Sequence, residues 1–369
     1  MQDMSMENKL KQVGKAFNIA GDFISFEEIK VGNVNRTYRV NYVRDEDGKP
    51  LEKSYIVQKI NTYAFKQPEL VMSNIDKVTE HIRKKCPDRK ALHFHHTADR
   101  KNYVNDADGF WRLFNYVPSI TYNVTDNLNV IRNAGRAFGD FQTQLGDFDV
   151  EQLNYTIPDF HNTRKRYEKF KADVAADPCG KVVEAKSEID WLLSVEDKAC
   201  MLTDMFERGE LPLRVTHNDT KINNVLFDEK TDDAIVVIDL DTVMPGLVGH
   251  DFGDAIRFAA NFVEEDCADA NKAGVNMDVF RAFTDGFMSA VGNSLTQNEV
   301  DTLALSCFAL ACELATRFLD DYILGSPYFK TDYPEHNLVR TRCQIALAKD
   351  MLNKMDEMNS VVKEYAVKG

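Results

Sequence analysis

Asp219 and Asn224 stand five residues apart in the run HNDTKINN, and His217 stands two before the aspartate. Phosphoryl transfer asks a protein for little covalent chemistry. It needs a carboxylate to accept the attacking hydroxyl's proton, oxygen ligands for a divalent cation, and donors around the phosphates. The spacing Asp-x-x-x-x-Asn, with a His two residues earlier, is that of a phosphoryl-transfer catalytic loop. The residues that follow add a third oxygen group. Positions 225–227 form a short apolar strand, 228–233 a polar, turn-rich tip, and 234–238 a second strand. If the two strands pair about that tip, residues whose numbers sum to about 463 lie opposite one another, and Asn224 meets Asp239. Mg²⁺ is a hard cation that takes oxygen ligands and keeps waters and phosphate oxygens in its shell. Asn224 and Asp239 are therefore the expected metal ligands, with Asp219 placed to accept the proton. Strand alternation leaves Asp241 on the side of Asp239, with a secondary role open. Asp251-Phe252-Gly253 spells another metal motif, but it falls outside the hairpin. Asp251 is expected to brace the catalytic loop or to cap the helix that follows.

These residues need elements to hold them. Residues 5–18 have the spacing of a short amphipathic helix, with Leu10, Val13 and Phe17 on one side. Strands are expected over 26–31, 37–43 and 54–60, the last two separated by the turn DEDGKP. A helix is expected from Pro68 to about Lys85, with Leu70, Ile75, Val78 and Ile82 inward, and a strand over 110–117. Beyond Pro118 the pattern turns helical: 126–146, 160–175, 186–207, 276–291, 297–324 and 335–357. One β-rich interval, 213–241, interrupts it.

The stretch 217–241 resembles the aminoglycoside phosphotransferase and choline kinase superfamily, whose pattern is H-x-D-x-x-x-x-N followed by apolar-Ile-Asp. HNDTKINNV followed by VIDLDTVMPGLVGHDFGDAIRF is similar to the N-acetylhexosamine 1-kinases. The similarity extends through VGNVNRTYRV, YIVQKINTYAFKQPELVM, WRLFNYVPS, IPDFHNTRKRY and ATRFLDDYILGSPYF. The resemblance implies an α+β, protein-kinase-like two-lobed fold. Its small β-rich N-lobe, over residues 1–117, would bind nucleotide. Its larger, mainly helical C-lobe, over 118–369, would carry catalysis and the acceptor. The resemblance also implies ATP as co-substrate, Mg²⁺ as cofactor, and phosphorylation of GlcNAc or GalNAc at the anomeric hydroxyl. Two alternatives stay open. One is a kinase of another small alcohol, such as a different sugar, choline or homoserine. The other is a catalytically silent protein that binds nucleotide or sugar.

In a kinase-like lobe a loop between the first two strands covers the phosphates and a strand lysine contacts them. The loop candidate is 32–35, with Gly32, Asn33 and Asn35; Asn33 stands where the sugar-kinase relatives tend to carry His. The resemblance favours Lys59 as the lysine, with Glu69 or Glu80 as its helix partner. The alternative has Gln58 inward and Lys59 solvated. Phe114, Asn115 and Tyr116 are the candidate hinge, where backbone groups of Asn115 and Tyr116 would meet adenine. An ordinary inner strand fits that segment equally well.

On the expected helix 297–324, Glu313, Arg317, Asp320 and Asp321 share one face. Such a stripe is either a solvated ion-pair ladder or a polar wall that hydrogen-bonds a polyol. The resemblance around RFLDDY favours the second. Arg317, Asp320 and Tyr322 are then acceptor-site residues, with Asp159 and His161 of IPDFHNT beside them. His93 and His95 share a strand face near His96, but no third ligand lies at metal-site spacing, and a packing role is expected. Trp111 and Trp191 are expected in the core.

Composition narrows the partners. The chain has 369 residues, 44% of them hydrophobic, enough for two lobes. A formal net charge of −14 and the lack of a long Lys/Arg run exclude a nucleic-acid backbone as partner. A phosphate ligand survives that acidity because a bound Mg²⁺ reverses the local sign. The 7 cysteines are scattered with no CxxC, so buried reduced thiols are expected rather than disulfides or a zinc site. The N-terminal residues are polar, and no apolar run approaches the roughly 18 residues of a membrane span. A cytoplasmic protein without a membrane partner is expected. The oligomeric state stays open, a monomer included.

Overall fold

Asp47 and Gly48 both have positive φ, 56° and 76°. Two left-handed residues in a row make the hairpin turn whose twist matches the strands on either side. The strands it joins belong to the first of two compact units in the computed structural model, which describes residues 2–30, 34–87 and 92–366. That unit takes in Met1–Ser119, Glu151–Ile157 and Ile238–Val243. It contains α1 (Gln2–Ala16), β1 (Asp22–Ile29), β2 (Arg36–Glu46), β3 (Lys49–Ile60), α2 (Pro68–Lys85), β4 (Val104–Asp106) and β5 (Gly109–Asn115). The strands form an antiparallel sheet in the order β1-β2-β3-β5-β4.

Alternation gives this sheet two different faces. On one, α1 buries Leu10, Val13 and Phe17 against Tyr38, Val40, Tyr42, Tyr55, Val57, Trp111 and Leu113. The other carries Thr37, Gln58 and Arg112, the residues one step out of phase. Helix α2 opens on Pro68, where a missing N–H costs nothing, and ends on Arg83, Lys84 and Lys85, which complement the helix dipole. It buries Val71, Met72, Ile75, Val78 and Ile82. Leu70, expected inward, is only half-buried.

The second unit takes in Ile120–Val150, Pro158–Val237 and Met244–Gly369. Its first elements are α3 (Leu128–Gln144), α4 (Thr163–Ala176), α5 (Lys186–Ser194), α6 (Glu196–Ala199) and α7 (Met201–Glu207). Then come β6 (Arg214–Thr216), β7 (Val225–Phe227), β8 (Ala234–Val237), β9 (Met244–Gly246) and α8 (Val248–Ala259). Helices α9 (Met277–Val291), α10 (Gln297–Ile323), α11 (His336–Asn353) and α12 (Met355–Ala366) complete it. The single helix expected over 186–207 is broken at Val195 and Cys200, and that over 335–357 at Lys354. A small sheet unit with a larger helical one is the α+β architecture expected from the sequence.

Helix α10 organises this unit. It starts with a capping box: Thr296 Oγ1 accepts from Glu299 N (3.3 Å), and Glu299 Oε2 accepts from Thr296 N (2.7 Å). By length and composition α10 could cross a membrane, which the sequence reading had not anticipated. However, 89% of its apolar window is buried inside the protein, as in a core helix. Helix α8 crosses it closely. A Cβ on Gly253 would lie 2.5 Å from the carbonyl oxygen of Ser306. The glycine of Asp-Phe-Gly therefore serves helix packing. Cys200, Cys307, Cys312 and Cys343 are buried free thiols, whereas Cys179 is exposed.

Candidate active site

Strand β6 delivers the chain into a loop held almost entirely by carboxylates of α8. Asp251 accepts from the backbone N–H of His217 (2.9 Å) and of Asn218 (2.7 Å), and from Gln142 Nε2 on α3 (2.7 Å). Burial lifts the Asp251 pKa above the usual carboxylate value despite these donors. Thr220 completes the clamp. Its N–H donates to Asp254 (3.2 Å) and its hydroxyl to the Asp251 carbonyl (2.6 Å). Asn218, at φ 64°, makes the sharp turn that this path needs. His217 is fully buried, edge-on to Phe138 and Phe141, and its Nδ1 accepts from Asp219 N (3.3 Å). Asp251 thus braces the loop.

The two oxygens of Asp219 have different neighbours. Lys221 Nζ lies 2.9 Å from Oδ1. Asn224 Nδ2 donates to Oδ2 (3.1 Å) and to the Asp219 carbonyl (2.8 Å). This fixes the Asn224 amide so that its Oδ1 accepts no hydrogen bond among the described residues, a donor atom that suits a hard cation. Lys221 was not singled out from the sequence. Burial alone would lower its pKa, but Asp219 and Asp254 outweigh burial and hold it above the ordinary lysine value. Asp254 is in turn held below the usual carboxylate range. Burial opposes this, and the Arg257 guanidinium and Lys221 outweigh it.

The hairpin register differs from the expectation by one residue. Val225 pairs with Val237 and Leu226 with Val236, with an irregularity before Phe227 and Ala234. Pairing ends at Val225, so Asn224 has no strand partner and the expected Asn224–Asp239 pair is not formed by the ladder. Ile238 to Val243 instead belong to the first unit. There Asp239 is left-handed (φ 59°, ψ 58°) and leads into a 3₁₀ turn, Leu240–Thr242. Strand alternation does not apply in such a turn. Asp241 is buried and ion-paired to Arg112.

Within the first unit, the nucleotide candidates are sorted by the two sheet faces. Gly32 and Asn33 lie outside the described residues. Asn35 is described, and its side chain bridges two partners: Nδ2 donates to Asp241 (2.7 Å), and Oδ1 accepts from Asn61 N (3.0 Å). Lys59 takes the face opposite to Gln58. Its ammonium lies over the Trp111 ring at 5.5 Å, on the face covered by α1. Gln58 occupies the opposite face, accepting from Arg112 Nε (2.9 Å) and donating to Thr37 (3.0 Å). Neither expected helix partner reaches Lys59. Glu69 is exposed, and Glu80 pairs with Arg83 and Lys84. The hinge candidates need revision as well. Asn115 N already donates to the His93 carbonyl (3.2 Å) and Tyr116 N to that of Ser54 (3.2 Å), so neither donor is available to adenine. The three histidines have separate partners, Arg83 for His93, Asn115 for His95 and Asp76 for His96. Among the described residues no metal-binding cluster forms.

The acceptor candidates divide too. Glu313 is the centre of one group. It is 2.9 Å from His161 Nδ1, accepts from Thr163 Oγ1 (2.9 Å) and lies 3.4 Å from Arg166 Nε. Burial opposes its ionisation, but His161, Arg166 and Arg317 hold it well below the usual carboxylate range. His161 Nε2 is buried without a hydrogen-bond partner. The Arg317 guanidinium lies over Phe160 (5.7 Å) and Phe329 (5.4 Å) and makes no hydrogen bond among the described residues. Burial and then Arg166 lower its pKa. Arg317 and His161 thus come together, and His161 adds to the field at Asp254 beside the loop that carries Asp219. The other three candidates point elsewhere. Asp320 pairs with Lys169 on α4 (2.5 Å). The Tyr322 hydroxyl donates to Glu184 (2.7 Å). Asp159 is exposed and paired with Lys165 (2.9 Å). Asp321 anchors the following loop through the N–H groups of Tyr328 and Phe329.

Residues 25–283 match the family model described as the phosphotransferase enzyme family. The chain belongs to that family. Solved structures agree on the fold of this phosphotransferase. A microcompartment-associated aminopropanol kinase superposes with a TM-score of 0.61 at 17% identity, covering 95% of this chain and 98% of the other. A choline kinase from Cryptosporidium parvum Iowa II gives 0.56 at 11% identity over 100% of both chains. A spectinomycin phosphotransferase in complex with ADP and spectinomycin gives 0.51 at 15% identity, over 98% and 97%. Identities this low speak for the fold alone. It is the protein-kinase-like fold, with a small antiparallel-sheet lobe and a larger helical lobe. The sequence does not single out Lys221, Asp254 or Arg112 of this phosphotransferase. Arg112 left a signal: it is a charge in the otherwise apolar run Phe110-Trp-Arg-Leu-Phe114, where burial demands a partner.

Proposed function

We propose that this phosphotransferase moves the γ-phosphoryl group of ATP onto the anomeric hydroxyl of an N-acetylhexosamine. The observation that supports the kinase chemistry is the environment of Asp219. Lys221 and Asn224 fix its two oxygens, on a loop whose backbone is clamped by Asp251 and Asp254. Asp219 would accept the acceptor hydroxyl's proton and orient that oxygen. Phosphoryl transfer is largely dissociative, so this positioning outweighs base strength. Asn224 and Asp239 would hold Mg²⁺, which when bound supplies charge neutralisation at the phosphate oxygens. Nucleotide binding is assigned to residues 1–117, and catalysis with acceptor binding to residues 118–369.

The choice of acceptor rests on the sequence similarity around ATRFLDDYILGSPYF and on Arg317. A guanidinium whose donors meet no acceptor among the described residues, and which lies over two aromatic rings, offers hydrogen bonds to hydroxyl and acetamido oxygens. The second reading is an amino-alcohol acceptor, by analogy with the aminopropanol and choline kinases that share the fold. A cationic acceptor wants an anionic or aromatic cage. Arg166 and Arg317 beside Glu313 oppose that. The test is incubation with ATP and Mg²⁺ across a panel of hexosamines, other sugars, choline and aminopropanol, with ³¹P NMR of the products. A sugar 1-phosphate from GlcNAc or GalNAc is expected. Turnover on an amino alcohol and on no hexosamine would sink the reading.

A further inference from the structure

Arg112 is 2% exposed in the middle of β5. A guanidinium so placed needs a carboxylate and further acceptors to offset its lost hydration. It has them on the sheet face away from α1: Nε donates to Gln58 Oε1 (2.9 Å), and Nη1 donates to Asp241 Oδ1. The second Asp241 oxygen accepts from Asn35 Nδ2 (2.7 Å), and Asn35 is itself tied to Asn61 N (3.0 Å). Asp241 is therefore bound from β5 and from the start of β2. Its turn is held at the far end as well, where the Val243 carbonyl accepts from Asn74 on α2 (2.9 Å). Two residues before Asp241 stands Asp239, in a left-handed conformation that aspartate adopts more readily than most non-glycine residues, and the turn it opens is tied down at Asp241 and Val243.

We propose that Arg112 and Asp241 form a positioning pair that fixes the turn bearing Asp239 and thereby sets metal-nucleotide affinity. The inference rests on the reading of Asp239 as a Mg²⁺ ligand. Arg112 is too enclosed to touch a nucleotide, and Lys59, the residue expected to supply a strand-borne cation, lies on the other face of the sheet. This buried cation thus acts one step back, through Asp241. Partners that orient a metal ligand typically govern about 10–100-fold in metal affinity.

The experiment uses the full chain and Mn²⁺ as an EPR-visible probe, titrated with a non-hydrolysable ATP analogue, beside steady-state kinetics and urea unfolding. Arg112→Lys keeps the charge but loses the planar fork. It is expected to raise the Mn²⁺ dissociation constant about tenfold, with acceptor KM within about twofold. The double variant R112M/D241L removes both charges together and leaves no unpaired buried charge, although Gln58 Oε1 and Asn35 Nδ2 each lose a partner, so its urea midpoint should fall less than that of Arg112→Met alone while metal affinity remains weakened. Unchanged Mn²⁺ affinity in Arg112→Lys, or in a folded double variant, overturns the proposal and leaves the pair a packing feature. A parallel rise in acceptor KM also overturns it, because that reports general loosening. A wild-type chain that binds no Mn²⁺-nucleotide overturns the kinase reading itself, a result visible before any variant is made.

Discussion

The role proposed for Asp219 rests on the neighbours of its two oxygens. Asn224 takes one carboxylate oxygen and Lys221 the other, which leaves the group little rotational freedom. Asp219→Asn is nearly isosteric and should leave nucleotide binding within about twofold, while single-turnover transfer falls by about 10²–10⁴. A near-wild-type rate in that variant would remove Asp219 from the chemistry. The proximity of Asp219 and Asn224 was legible because their spacing is local, set by one loop of backbone. The face taken by Lys59 was hidden for a related reason. Choosing between adjacent strand residues requires knowing which sheet face is covered, and only the packing of α1 reveals it.

At the scale of elements, α8 does the most for the site. It carries Asp251 and Asp254, which together hold the amides of His217, Asn218 and Thr220. Gly253 lies between them against Ser306 of α10. Glycine to alanine within a helix ordinarily gains about 1 kcal/mol in propensity. Here the added Cβ meets backbone, which cannot rotate away, and overpacking costs about 1–3 kcal/mol. Gly253→Ala should therefore lower stability in urea and reduce kcat more than acceptor KM, since the shift displaces the loop clamp. A variant as stable and active as wild type would show that α8 and α10 can separate freely. The hairpin shows the limit of sequence reading at this scale. The expected register set Asn224 opposite Asp239, whereas the ladder ends at Val225–Val237, because the length of the tip and the irregularity between Leu226 and Phe227 set the register together.

The whole molecule should record the buried His250 in its pH dependence. Burial, reinforced by His161 and opposed by Glu313, pushes the His250 pKa down to about 3. An unfolded histidine titrates near 6.5. Between those values the unfolded chain binds a proton that the fold refuses. The contribution is thus full above about pH 6.5 and is lost as pH falls, with a slope of up to about 1.4 kcal/mol per pH unit. Asp320 acts in the opposite sense. Burial, opposed by Lys169 and aided by Asp173, lifts it to about 6, so its protonation favours the fold as pH falls through that value. Urea unfolding measured from pH 7 to pH 4 should show a net decline. That decline should flatten in His250→Asn and steepen in Asp320→Asn. An unaltered slope in His250→Asn would exclude it as the source.

By itself the sequence determined the α+β class, the Asp-x-x-x-x-Asn loop with its bracing Asp251, and the amphipathic helices. Each of these is written in spacings of a few residues, where backbone geometry dictates which side chains share a face. Tertiary structure alone decided that Arg112 and Asp241, 129 positions apart, form a buried pair. It also moved Asp320 and Tyr322 away from Arg317, and it set Lys59 behind the sheet and Gln58 in front. Those outcomes depend on which surfaces are taken out of water together, and a buried charge finds its partner wherever the fold brings one. The spacings within the 217–241 stretch could be read in the chain, while the supports around it appear only once the chain is folded.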